Sequence, residues 1–184
     1  MSKIFFKQFL NDKKMVGSII PSSKFLCAKM LNNIPLKSAK LIIELGPGTG
    51  CFTKKIIEKM GSNTQLIVVE LNSDFHQHLK DKIIHSNVHI KQDSANNIGI
   101  LTKQLGFEKA DIIISSLPLA NFPPELRNSI LKTVNENLTD NGSFVQFQYS
   151  LNAYKNLKEI FHSVKLQFTV LNFPPAFVYT CKKS

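Results

Sequence analysis

Leu41-Ile42-Ile43-Glu44-Leu45-Gly46-Pro47-Gly48-Thr49-Gly50 decides the fold. Four aliphatic side chains and one carboxylate run without interruption into a glycine cluster. A short apolar run bounded by glycine reads as a strand buried on both faces. The glycines let backbone approach a ligand closely. Phe52, Ile56 and Met60 follow at helical spacing, so a helix presents its amino terminus to the same place. The spacing is G-x-G-x-G, not the G-x-G-x-x-G of dinucleotide folds, which disfavours NAD. Glu44 at the mouth of the loop would repel a pyrophosphate and attract a cationic ligand.

Outward from this stretch the chain alternates strand and helix. Residues 66–69 and 111–115 are further unbroken apolar strands, and residues 88–90 form a shorter one. Asn72 is placed to cap a helix whose Phe75, Leu79 and Ile83 recur every fourth residue. Pro123 and Pro124 suit the first turn of a helix continued by Ile130, Leu131 and Val134. Residues 143–149 make a fifth strand, and Leu157 and Phe161 mark another helix. Residues 164–171 and 176–180 close the chain around Phe173-Pro174-Pro175. Short apolar strands separated by helices imply an α/β fold, a parallel sheet covered on both faces. Ligands of such sheets sit beyond the carboxyl ends of the strands. There stand Glu70, suited to two ribose hydroxyls, then Asp93-Ser94, suited to an exocyclic amine, then Ser115-Ser116-Leu117-Pro118-Leu119.

Length and charge narrow the class. A chain of 184 residues is one domain by length, able to bury roughly 70% of its unfolded surface. Hydrophobic residues make up 43% and charged residues 20%, the balance of a soluble globular protein. No apolar run approaches a bilayer span, and the lysine-rich start has no secretory pattern. Cys27, Cys51 and Cys181 are far apart in sequence, with no metal spacing and no disulfide framework, so no metal site and a cytoplasmic location are expected. The net charge of +10 is uneven: residues 1–40 carry eight lysines against Asp12, residues 41–143 sum to −1, and the remainder to +4. Lysine abundance accompanies abundant Asn and Ile, but composition does not explain the placement. A basic patch means an anionic partner, nucleic acid or membrane surface.

The E-x-G-x-G-x-G loop, the acid after strand two and the acid after strand three resemble those of class I methyltransferases that use S-adenosylmethionine. The resemblance covers residues 40–182 and implies a Rossmann-like, seven-stranded sheet with a closing antiparallel hairpin. It implies that Glu44, Gly46, Pro47, Gly48, Thr49 and Gly50 face the methionine part of the cofactor. Glu70 would hold the ribose and Asp93 the adenine amino group, with Leu71, Ser94 and Ser115 among the cofactor-binding residues. The product would be S-adenosylhomocysteine.

Two subfamilies share this core with a helical lead-in. The rRNA adenine dimethyltransferases carry N-x-P-[YF] after strand four, where a polar side chain and a carbonyl orient the base amine and the aromatic stacks on it. Here Ser116-Leu117-Pro118-Leu119 has neither the asparagine nor the aromatic, and the chain ends after its last strand without that family's helical domain. From end to end the chain resembles the short bacterial phospholipid N-methyltransferases that methylate phosphatidylethanolamine. The matching stretches are Val16-Gly17-Ser18-Ile19-Ile20-Pro21-Ser22-Ser23, Ser116-Leu117-Pro118-Leu119 with Asn121-Phe122-Pro123, Val145-Gln146-Phe147, and Phe173-Pro174-Pro175-Ala176-Phe177-Val178. Ser116 departs from them where glycine is expected. By this resemblance Val16, Gly17 and Ser18 belong to a segment closing over the cofactor, with Ser22 or Ser23 capping the next helix. Ser116, Leu117, Pro118 and Leu119 would line the acceptor pocket.

At about 100° per residue, Phe5, Phe6, Phe9 and Leu10 share one helical face, with Lys3, Lys7 and Lys14 beside it. Such a helix reads as interfacial, its lysines on lipid phosphates and its phenylalanines in the acyl boundary. The expected organisation is therefore residues 1–39 as amphipathic helix and lid, and residues 40–184 as the cofactor-binding core. Tyr149, just past strand five, is the candidate for orienting the acceptor amine. His85 and His89 read as surface residues. The expectation is a monomeric, peripherally membrane-associated methyltransferase acting on an aminophospholipid. An RNA adenine methyltransferase without its accessory domain, or an idle membrane- or RNA-binding module of the same fold, stays open.

Overall fold

The computed structural model describes residues 24–172 and 174–183. Among them the elements run α1 (Lys24–Leu31), β1 (Leu41–Leu45), α2 (Cys51–Lys59), β2 (Gln65–Glu70), α3 (Ser73–Lys82) and β3 (Val88–Gln92). Then come α4 (Ile98–Gln104), β4 (Ala110–Ser115), α5 (Pro124–Glu136), β5 (Leu138–Gln148), α6 (Tyr154–Ile160), β6 (Ser163–Thr169) and β7 (Ala176–Lys182).

One seven-stranded sheet carries the order β3-β2-β1-β4-β5-β7-β6. The first five strands pair in parallel, and β7 lies antiparallel between β5 and β6. The strand order reverses between β1 and β4, the switch point where ligands of open α/β sheets bind. All five residues of β1 are buried, as are four apolar residues of β4. Successive side chains serve opposite faces. Ile43, Ile113 and Phe144 pack with Ile98, Ile130, Leu131 and Leu157 of α4, α5 and α6. Ile42, Ile112 and Val145 pack with Leu26, Phe52, Ile56 and Leu79 of α1, α2 and α3. Asp111 fixes the start of this pairing, its Oδ2 accepting the amides of Lys40 and Leu41 at 2.7 and 3.1 Å.

Several elements differ from their sequence-based bounds. α4 and the single 3-10 turn before it were not expected between β3 and β4. The helix is only seven residues long, too short to display a period. Strand β5 begins at Leu138, not 143, because a register irregularity near Ala110 and Ile112 lets Leu138 pair ahead of the exposed Asp140 and Asn141. Its last residue is Gln148, which leaves Tyr149 beyond the strand. Leu26, Cys27, Met30, Leu31 and Leu36, all before residue 40, are buried in the same core as the sheet. Cys27 and Cys51, 24 residues apart, meet with their Sγ atoms at 3.6 Å, and no disulfide joins them. The sequence separation of these cysteines therefore does not carry into the fold, since α1 packs against α2.

Candidate cofactor and acceptor site

The loop after β1 is built from three left-handed glycines: Gly46 at φ +66°, Gly48 at +55° and Gly50 at +82°. A side chain there is strained by backbone alone. At Gly46 a Cβ would stand 2.8 Å from Leu117 Cδ2, so the glycine loop and the loop after β4 touch. The Gly46 amide donates to Val69 and the Ser116 amide to Leu45, which pins both loops to the strand ends. Pro47, Gly48 and Gly50 are buried, and Thr49 is exposed.

Glu44 is fully buried, and neither carboxylate oxygen has a hydrogen-bond partner among the described residues. Burial pushes its pKa up to about 8. Thr53, at the start of α2 and itself buried, lies close enough to oppose that rise, while Glu70 adds to it. Such a carboxyl is neutral in its own surroundings, and a nearby cation would ionise it. Glu70, 6% exposed at the end of β2, accepts the Gly48 amide with Oε2 and the Asn72 amide with Oε1. Burial raises its pKa and these amides hold it down. Asp93 Oδ1 accepts from the Ser94 amide and from Asn97 Nδ2, both at 2.7 Å. Ser94 caps the 3-10 turn, its Oγ accepting from Asn96. Leu71 packs on the core beside it.

Across the switch point, Ser115 Oγ accepts the Leu117 amide at 3.2 Å. Leu119 is fully buried in the core, and Leu117 and Pro118 are half-buried. Two side chains absent from the expected site complete this loop. Gln146 and Gln148 of β5, 0% and 4% exposed, both donate to the Leu117 carbonyl, at 3.0 and 2.9 Å. The sequence signal available for them was two amides in a strand otherwise built for burial.

Tyr149 is 41% exposed. Its ring packs edge-on against Phe147 at 5.6 Å, and burial raises its pKa against a hydrogen bond with Asn172. His85 is exposed and accepts the Asn87 amide. His89 pairs with Gln65 at 2.8 Å, at the far end of β2 from the glycine loop. No His/Cys/Asp/Glu cluster among the described residues could hold a metal. The expected residues Val16, Gly17 and Ser18, the serines 22 and 23, and the interfacial Lys3, Phe5, Phe6, Lys7, Phe9, Leu10 and Lys14 lie outside the described residues. No described helix is long and apolar enough to cross a membrane.

An open cavity of about 840 Å³ lies between α1 and the end of β6, lined by Phe25, Lys29, Leu31, Phe168, Val170 and Leu171. No glycine-loop residue lines it.

The sheet order, the three positive-φ glycines and the acids closing the first two strand ends define a class I methyltransferase using S-adenosylmethionine. The residues fit that cofactor: its cationic amine and sulfonium suit the unpartnered, buried oxygens of Glu44, and the cradle at Gly46 admits backbone but no Cβ. The chain belongs to the ribosomal RNA adenine dimethylase family, whose model matches residues 2–141. It is 30% identical to an ornithine lipid N-methyltransferase of Singulisphaera acidiphila over 97% of this chain and 94% of that one. It is 25% identical to the ribosomal RNA small subunit methyltransferase A of Ureaplasma parvum over 89% of this chain and 66% of that one. Among solved structures, the precorrin-6y C5,15-methyltransferase of Geobacter metallireducens superposes with a TM-score of 0.68 at 15% identity, covering 88% and 89% of the two chains. That likeness is one of fold.

Proposed function

We propose that this chain N-methylates an amine on a lipid head group at a membrane surface, with phosphatidylethanolamine and ornithine lipid as the acceptors to try first. The acceptor loop carries the reading. A base amine held over this loop needs an aromatic to stack on, and position 119 is a leucine buried in the core. The likeness to the ornithine lipid enzyme over nearly the whole of both chains supports the same acceptor class. So do the exposed Phe25, Phe168, Val170 and Leu171 around the cavity, with Lys29, Lys37 and Lys59 beside them. Pairing of Gln148 with Phe177 and of Thr169 with Ala176 sets Phe168 and the two residues that follow β6 at the sheet edge where β5 ends. A bilayer touching that edge would bring its head groups to the loop after β4. The lysine-flanked apolar face of residues 3–14 would add a second contact.

Bound S-adenosylmethionine supplies a methyl group activated by its sulfonium. Glu44 and the glycine loop would hold the amino-acid end, Glu70 and Leu71 the ribose, and Asp93 the adenine amine. Residues 16–18 would close over it. The acceptor ammonium gives up a proton to water or base before transfer, and its lone pair then attacks in line. Leu117 and Leu119 exclude water, while positioning supplies much of the acceleration. Tyr149 remains the candidate to orient the head group.

A ribosomal RNA acceptor is the second reading, favoured by the family model and by the likeness to the Ureaplasma parvum enzyme. One assay separates the two. The protein is incubated with methyl-labelled S-adenosylmethionine, aminolipid vesicles and bacterial RNA, and the label is partitioned between organic solvent and water. Label in the organic phase supports a lipid acceptor. Label confined to RNA overturns it.

A further inference from the structure

Side chains of β5 meet the loop after β4 and take up most of the hydrogen-bond acceptors gathered there. Gln148 Nε2 donates to the Leu117 carbonyl at 2.9 Å while its Oε1 accepts the Ala120 amide at 3.0 Å. One side chain thus bridges the turn at Pro118. Gln146 Nε2 donates to the same Leu117 carbonyl at 3.0 Å and to the Phe147 carbonyl at 2.6 Å. These partners fix both amide orientations, since exchanging N and O would set acceptor against acceptor. The Leu117 carbonyl also accepts the Leu119 amide at 2.8 Å, so three donors share its two lone pairs. Ser115 Oγ already accepts the Leu117 amide. Two oxygens are left: Gln146 Oε1 and Ser116 Oγ. Both are shielded from water, and neither has a hydrogen-bond partner among the described residues. A buried polar atom left so is unfavourable, and a ligand N–H would relieve it.

We infer that Ser116 and Gln146 orient the amine to be methylated, and that Gln148, with the nitrogen of Gln146, positions the loop, whose Leu117 carbonyl these amides and that of Leu119 close to substrate. The inference rests on the lipid-amine reading for its substrate. A neutral primary amine offers two N–H groups to the two oxygens, which aims its lone pair at the methyl carbon. The lone pair forms the new N–C bond, the electrons of the broken C–S bond return to sulfur, and the proton left on nitrogen passes to water. Each transfer removes one N–H. The orienting pair therefore aids the first methylation most and the third not at all.

The test uses Ser116→Ala and the full-length chain, with vesicles of phosphatidylglycerol mixed with phosphatidylethanolamine or its dimethyl derivative. Loss of one hydrogen bond in transfer predicts a fall of about fivefold on the unmethylated lipid. Turnover of the dimethyl lipid falls less, and cofactor affinity by calorimetry stays as in the parent. Equal rates, or an equal fall on both lipids, overturn the inference. Gln148→Met tests the positioning role: kcat falls on both lipids with cofactor affinity retained, and an unchanged kcat refutes it. If the parent methylates RNA instead of lipid, the lipid reading fails, and the same ratio on adenosine and N6-methyladenosine oligonucleotides decides the role of Ser116. If it methylates neither, side-chain amide exchange of Gln146 and Gln148 decides: slow exchange supports the clamp, and free exchange overturns it.

Discussion

Glu70 accepts the backbone amide of Gly48 at 3.1 Å, so the acid that ends β2 closes the glycine loop that follows β1. Its other oxygen takes the Asn72 amide at 2.9 Å and fixes the entry to α3. One buried carboxylate therefore ties the glycine loop to the entry of α3. Hydrogen bonds to a charged group are worth about 1.5–3 kcal/mol each. Glu70→Ala is expected to weaken S-adenosylmethionine binding at least tenfold by calorimetry and to lower the melting temperature. Unchanged affinity would remove Glu70 from the cofactor site.

Glu44 makes a prediction in pH. Its folded pKa, about 8, lies above the ordinary carboxylate value, so the folded chain holds a proton that the unfolded chain has released. Its contribution to stability is then most favourable below pH 4.5 and is lost progressively up to about pH 8, where the curve levels. Glu44→Gln keeps the shape without the ionisation. The variant is expected to gain on the parent as pH rises through that window, by up to a few kcal/mol in denaturant unfolding. A cationic cofactor reverses the preference, so parent binding should release a proton below pH 8 and tighten toward it. Calorimetry in buffers of different ionisation enthalpy counts that proton. A parallel pair of stability curves would refute the buried, neutral Glu44.

The contact between the glycine loop and the acceptor loop gives a third. Gly46→Ala places a Cβ 2.8 Å from Leu117 Cδ2 at a φ of +66°. The strain costs about 1 kcal/mol, and Leu117 must move. Methyl transfer is expected to fall further than cofactor affinity, because the displaced residue belongs to the acceptor side. A fall confined to cofactor affinity would show that the two loops are not coupled.

These contacts mark where sequence reasoning reaches its limit. β1, β2 and β4 were legible because each is an unbroken apolar run between turn residues, and Asn72 because a cap has a side-chain chemistry of its own. The order of the acids was legible, but their partners were not. Which backbone amide meets Glu70 depends on the parallel pairing of β1 and β2. Gln146 and Gln148 were missed as site residues because an amide in a strand has no spacing rule. Their meaning comes from a loop about 30 residues away in sequence, the 29 and 31 positions back to Leu117. Likewise Cys27 and Cys51 become neighbours only once α1 lies on α2.

Asn72 separates support of the fold from contact with the cofactor. Its side-chain oxygen accepts the amides of Asp74 and Phe75 at 2.9 and 3.1 Å, capping α3, while its own amide is what Glu70 holds. Asn72→Ala deletes the cap and leaves the backbone amide in place. The expected cost is about 1 kcal/mol in unfolding free energy. Cofactor affinity at a temperature where the variant is folded should change less than twofold, since the Glu70 hydrogen bonds are unaltered. If affinity instead falls as far as in Glu70→Ala, α3 rather than the carboxylate sets the ribose end of the site.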